Sequence, residues 1–69
     1  MGNHSLYSRE GAQWVSSLLS DGWKLSFRYS DRPKEIVCLY HCNGNRATVY
    51  VDANCALLKI NGKVKKSMR

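Results

Sequence analysis

Apolar and polar positions along the chain change period once. From about Ser8 to Ser20 they follow a helical repeat, with Ala12, Val15, Leu18 and Leu19 at i, i+3, i+6 and i+7 and Trp14 four before Leu18. Ser5 or Ser8 stands where a helix cap is wanted, and Gly22 where a helix-ending glycine belongs. The spacing predicts one helix. Gly11 and the interior serines weaken its intrinsic propensity, so packing against other elements has to hold it.

Beyond Gly22 the period falls to two. Trp23, Leu25, Phe27 and Tyr29 alternate with Lys24, Ser26 and Arg28, which predicts a strand with four large residues on one face. Ser30 to Lys34 reads as a turn around Pro33, and residues 35–42 as a second strand. Asn43-Gly44 signals a tight hairpin into a third strand, Arg46 to Val51. Asp52-Ala53-Asn54 marks another turn, Cys55 to Ile60 a fourth strand, and Asn61-Gly62 a short terminal hairpin.

One helix followed by short strands joined by tight turns predicts an α+β fold. Its N-terminal helix packs on an antiparallel meander of four to five short strands. Residues 1–7 read as a flexible lead-in, 8–64 as a single small domain and 65–69 as a basic tail. A two- or four-residue loop at Asn43-Gly44 puts Ile36, Cys38, Tyr40 and Cys42 beside Ala47, Val49 and Val51, the expected core face. Val37, Leu39 and His41 then share the other face with Arg46, Thr48 and Tyr50, a surface too apolar to be plainly solvated.

Charge adds the question of a partner. Eleven Lys and Arg against five Asp and Glu give a formal net charge of +6 over 69 residues, a field that attracts polyanions. A chain this short builds one modest core, and a preorganised catalytic site with its supporting residues is hard to accommodate on it. No nucleophile elbow, glycine-rich phosphate loop or His-Glu-x-x-His is present. The expectation is therefore a non-enzymatic protein without cofactor.

Cys38, His41, Cys42 and Cys55 invite a metal reading, and spacing opposes it. Residues four apart on a strand lie ~13 Å from each other, and His41 points to the opposite face from both cysteines. The Cys-x-x-Cys knuckles of structural zinc sites are missing. Buried cysteines acting as small hydrophobes account for the pattern without an ion. Three is an odd count for a secreted disulfide scaffold, and no charged-then-apolar leader opens the chain, so a cytoplasmic protein with reduced thiols is expected. No apolar run approaches the ~20 residues that span a bilayer, so no membrane partner is expected.

Two binding readings remain. In the first, nucleic acid of either kind is held by Arg28, Arg46, Lys59, Lys63, Lys65 and Lys66, with Tyr50 stacking on bases. In the second, Val37, Leu39 and Tyr50 form an apolar face that docks an acidic protein or a second copy of the chain, or an edge strand does so. Helix-then-strands order resembles double-stranded RNA-binding domains, which end in a second helix not predicted here. In size and charge the chain is similar to small accessory or inhibitor proteins of phages and mobile elements, a likeness that assigns no residue.

Overall fold

The computed structural model describes residues 6–31 and 33–68, the side chains from Arg9 onward. Of the lead-in expected over residues 1–7, residues 1–5, with Ser5, lie outside the described residues, as do Arg32 and Arg69, while Leu6 and Tyr7 belong to the helix instead. Helix α1 spans Leu6–Ser20 and is followed by β1 (Lys24–Asp31), β2 (Lys34–Tyr40), β3 (Arg46–Val51), β4 (Ala56–Ile60) and β5 (Lys63–Met68). The strands form one antiparallel sheet in the order β1-β2-β3-β4-β5, a meander covered by a single helix.

Helix α1 ends where the sequence places its stop. Gly22 takes a left-handed φ of 95°, its N–H donates to the Leu19 carbonyl, and the Trp23 N–H reaches back to Leu18. This paired closure satisfies the last carbonyls and brings Trp23 beside Leu18, both packed on the core. The buried stripe is Gly11, Trp14, Val15 and Leu18, at i, i+3, i+4 and i+7; Ala12 and Leu19 face outward.

Gly11 is needed there for its lack of a side chain. A Cβ at that position stands 2.5 Å from Cγ2 of Val51 on β3, so the helix could not come this close with any larger residue. Gly11→Ala gains about 1 kcal/mol of helix propensity. Overpacking costs about 1–3 kcal/mol, so the variant is expected to lower the thermal midpoint. A raised midpoint would show that helix and sheet are not in contact at this point.

The β2–β3 hairpin differs from the sequence expectation by one residue. Tyr40 pairs with Arg46 and Val37 with Val49, so the loop proper is Cys42-Asn43-Gly44, an odd number. The Gly44 N–H donates to the His41 carbonyl and the His41 N–H to that of Asn45, and Gly44 alone is left-handed, at φ 94°. That is a turn followed by a single left-handed residue, the three-residue hairpin, and it reverses every facing assignment on β2. Val37 and Leu39, expected on an exposed interface, instead lie with Ala47, Val49 and Val51 beneath the helix, and Leu39 is only 1% exposed.

Strand β1 departs from its expected alternation as well. Leu25 pairs with Leu39 but Phe27 pairs with Cys38, so Ser26 is an extra residue, a bulge. Leu25 therefore faces the helix side while Phe27 and Tyr29 face the other way. Trp23 precedes the strand. A second irregularity leaves Lys65 unpaired between Lys66, opposite Leu58, and Val64, opposite Lys59. The residues expected as a basic tail thus continue β5 as an edge strand through Met68.

Trp14, Val37, Leu39, Ala47, Val49, Val51, Ala56 and Leu58 make the core, flanked by Val15, Leu18, Trp23 and Ile60. The helix lies mainly on β3 and β4, and every residue of β1 and β5 remains exposed. Among the described residues nothing covers the other face of the sheet. No described helix is long and apolar enough to cross a membrane.

Candidate nucleic-acid interface

The uncovered face is organised in three rows that run across the strands. Residues paired in an antiparallel sheet point to the same side, so the register defines each row. The first is Lys24, Tyr40 and Arg46; the second is Phe27, Cys38, Thr48, Lys59 and Val64; the third is Tyr29, Ile36, Tyr50, Leu57 and Ser67. These three rows carry four aromatic rings and three cations, and Lys34, opposite Asp31, lies beyond them on the same face. Phe27 is 56% exposed, Tyr29 43% and Tyr40 42%, values that large apolar side chains keep when nothing packs on them.

Charge on this face is separated along the strands. Lys24, Arg46 and Lys59 occupy the first two rows, at the end of the β2–β3 hairpin. The acids sit at the opposite end: Asp31, paired across strands with Lys34, and Asp52 just beyond β3. Each acid holds a tyrosine. Tyr29 Oη donates to Oδ2 of Asp31 at 3.3 Å, and Tyr50 Oη to Oδ2 of Asp52 at 3.0 Å. Both pairs are spaced i, i+2 on strands that run in the same direction, so both rings are drawn toward the same end of the sheet.

Asp52 is anchored in turn by the chain that follows it. Its Oδ1 accepts from the backbone N–H of Asn54 at 2.7 Å and of Cys55 at 2.9 Å. The Asn54 bond, opposed by partial burial and helped by the Tyr50 hydroxyl and Cys55, holds the carboxyl below its ordinary value. The same hydrogen bond to Asp52, with partial burial and the nearby negative charge, raises the Tyr50 phenol. Tyr50 therefore remains a neutral donor and its ring is fixed in place.

Arg46 is tied down at the other end. Its backbone N–H donates to Oδ1 of Asn61 at 2.9 Å and its carbonyl accepts from the Asn61 N–H at 2.8 Å. Nδ2 of Asn61 also donates to Oδ1 of Asn45 at 3.1 Å. Two hairpin loops are thereby joined, and a shallow recess lined by Ser26, Tyr40, His41, Gly44, Asn45 and Arg46 lies beside them. His41 packs edge-on against Trp23 with ring centroids 5.4 Å apart, and its Nδ1 accepts from the Asn43 N–H at 3.4 Å and stands 3.7 Å from the Cys42 sulfur.

The residues singled out from sequence divide between the two sides. Arg46, Tyr50 and Lys59 come together on the uncovered face. Arg28 faces the helix side and pairs with Glu35 at 2.8 Å, an exposed ion pair of small energetic weight. Lys63 and Lys66 also face the helix side from the β5 edge, opposite Ile60 and Leu58, and Lys65 occupies the bulge. Val37 and Leu39 belong to the core.

Lys24, legible in the sequence as an outward cation of the first strand, joins Arg46, Tyr50 and Lys59 on this face. Phe27, Tyr29, Ile36, Tyr40 and Leu57 lie on the face without having been identified as site residues from sequence. The repeated Tyr-x-Asp, at Tyr29-Ser30-Asp31 and Tyr50-Val51-Asp52, is the signal that marks two of its rings. Among the described residues no three His, Cys, Asp or Glu side chains gather into a group able to hold a metal ion. No protein-family model, curated protein or solved structure matches the chain.

Proposed function

We propose that this chain is a non-enzymatic nucleic-acid-binding protein and that the uncovered sheet face is its binding surface. The observation that carries the reading is the register: it places Phe27, Tyr29, Tyr40 and Tyr50 on the same side as Lys24, Arg46 and Lys59. Aromatic faces stack bases and cations neutralise phosphates, and a surface offering both suits a polynucleotide. The overall charge of +6 adds long-range attraction. The odd number of cysteines supports work in the reducing cytoplasm.

Exposed Phe27, with half-buried Ile36 and Leu57 on the same face, favours a protein partner as the second reading. Charge favours an acidic protein in that role, because Lys24, Arg46 and Lys59 share the face. A second copy avoids like-charge contact, which costs several kcal/mol across an interface, only when its strands run the opposite way and its Asp31 and Asp52 meet these cations.

Titration of labelled DNA and RNA by fluorescence anisotropy tests the proposal. Binding is expected at about 50 mM salt and should weaken markedly at about 200 mM as fewer counterions are released. Absence of binding at the lower concentration, or binding indifferent to salt, would contradict it. Sedimentation over a range of concentrations addresses the second copy: a dimer that dissociates as nucleic acid binds would assign the face to self-association first.

A further inference from the structure

We infer that the nucleic acid is single-stranded, with its backbone crossing the strands over Lys24, Arg46 and Lys59 and its bases laid toward Phe27, Tyr29 and Tyr50. The inference rests on the reading of the face as a nucleic-acid surface and specifies the substrate class. Three features of the face carry it.

The first is the composition of the third row. Tyr29, Ile36, Tyr50 and Leu57 form a nearly uninterrupted apolar and aromatic strip. The outside of a duplex is a lattice of hydrated phosphates, and its bases are already stacked on one another. Against a duplex this strip would find nothing to stack on and would strip water from phosphates without replacing it. Unpaired bases present free π-faces to such a strip.

The second is the number and placement of the cations. Lys24 and Arg46 lie on either side of Tyr40, two strand spacings or ~10 Å apart, and Lys59 follows one row further along and one strand over. They form one diagonal track, enough for one sugar–phosphate backbone. A duplex docked on the sheet would present two. At the far end of the strands Asp31 and Asp52 outnumber Lys34, so the charge there is net negative and disfavours phosphate, and the track has one available side.

The third is the way the rings are held. The bonds from Tyr29 to Asp31 and from Tyr50 to Asp52 draw both rings along their strands in the same sense, on strands separated by β2 alone. Fixed rings lose little conformational freedom when a base settles on them, and that lowers the cost of binding. Rows on one face follow each other at ~6.6 Å, two residues along a strand, so a phosphate over the second row leaves its base above the third.

The test compares a single-stranded oligonucleotide, as DNA and as RNA, with the matched duplex by fluorescence anisotropy at about 50 mM salt. The full chain is used as wild type, Phe27→Ala, Tyr50→Ala and Tyr50→Phe. Single strands are expected to bind at least about tenfold more tightly than the duplex, with each alanine variant losing roughly 5- to 150-fold on the single strand and little on the duplex. Tyr50→Phe keeps the ring and should stay within a few-fold of wild type.

Phe27 is exposed, so its truncation leaves the fold intact and carries the test if Tyr50→Ala is unstable by circular dichroism. Duplex bound as tightly as single strand would overturn the inference and leave the broader reading standing. So would unchanged single-strand affinity in Phe27→Ala, or a Tyr50→Phe loss equal to that of Tyr50→Ala. Failure of every nucleic acid to bind removes both.

Discussion

Leu39→Ala is expected to lower the unfolding free energy by about 2–5 kcal/mol, whereas Cys38→Ala, one residue earlier, should leave stability within about 1 kcal/mol. Leu39 is 1% exposed and lies among Val37, Ala47, Val49 and the underside of the helix. Emptying such a site costs about 2–5 kcal/mol. A domain of 69 residues has only roughly 3–10 kcal/mol in total, so the loss is about half of the margin. Cys38 occupies the second row of the uncovered face and leaves no enclosed cavity when shortened. Urea unfolding of the two variants decides the register. A mild Leu39→Ala beside a severe Cys38→Ala would restore the even-loop hairpin and dismantle the aromatic face.

Replacing Lys24, Arg46 and Lys59 together by Gln should reduce single-strand affinity by several hundredfold at about 50 mM salt, with each cation taken to neutralise one phosphate at a slope of about 0.7. The slope of log affinity against log salt should flatten by about 2 on the same basis. Replacing Lys63, Lys65 and Lys66 removes the same formal charge and should cost far less. Those side chains project from the β5 edge or face the helix side, away from the rings. Anisotropy at several salt concentrations compares the two triple variants directly. Equal losses would mean that net charge alone drives association and that the sheet face has no special part in it.

Much of the architecture is legible in the chain. The helical repeat, the stop at Gly22, the third strand and the turns are all carried by local chemistry. The facing of residues is not, because it depends on single insertions that local pattern does not report. Asn61-Gly62 makes the turn its sequence suggests, with φ of 52° and 84°, both left-handed. Asn43-Gly44 is the same dipeptide and makes a different one. Asn43 keeps a negative φ, its Oδ1 accepts the Asn45 N–H, and the loop gains a residue.

The bulge at Ser26 is equally silent, since Leu25, Ser26 and Phe27 still alternate by type while the backbone carries the extra residue. Together the two shifts exchange the faces: Val37 and Leu39 go to the core, and Phe27, Tyr29 and Tyr40 join Arg46 and Tyr50 outside. Of the site, Arg46, Tyr50 and Lys59 were legible because charge and aromaticity need no register to be recognised. Lys24 was legible as a cation in the same way, but its place beside the rings, and the grouping of the remaining rings, needed the sheet. Gly11 read as a weakness of the helix, and the structure gives it a purpose through its approach to Val51.

The most direct test is chemical-shift mapping of the labelled protein on addition of a short single-stranded oligonucleotide. Perturbations are expected on Lys24, Phe27, Tyr40, Arg46, Tyr50 and Lys59, with the outward residues of α1, such as Gln13 and Ser17, unmoved. Shifts centred on the helix or confined to β5, with the aromatic rows unaffected, would contradict the assignment of the uncovered face as the binding surface.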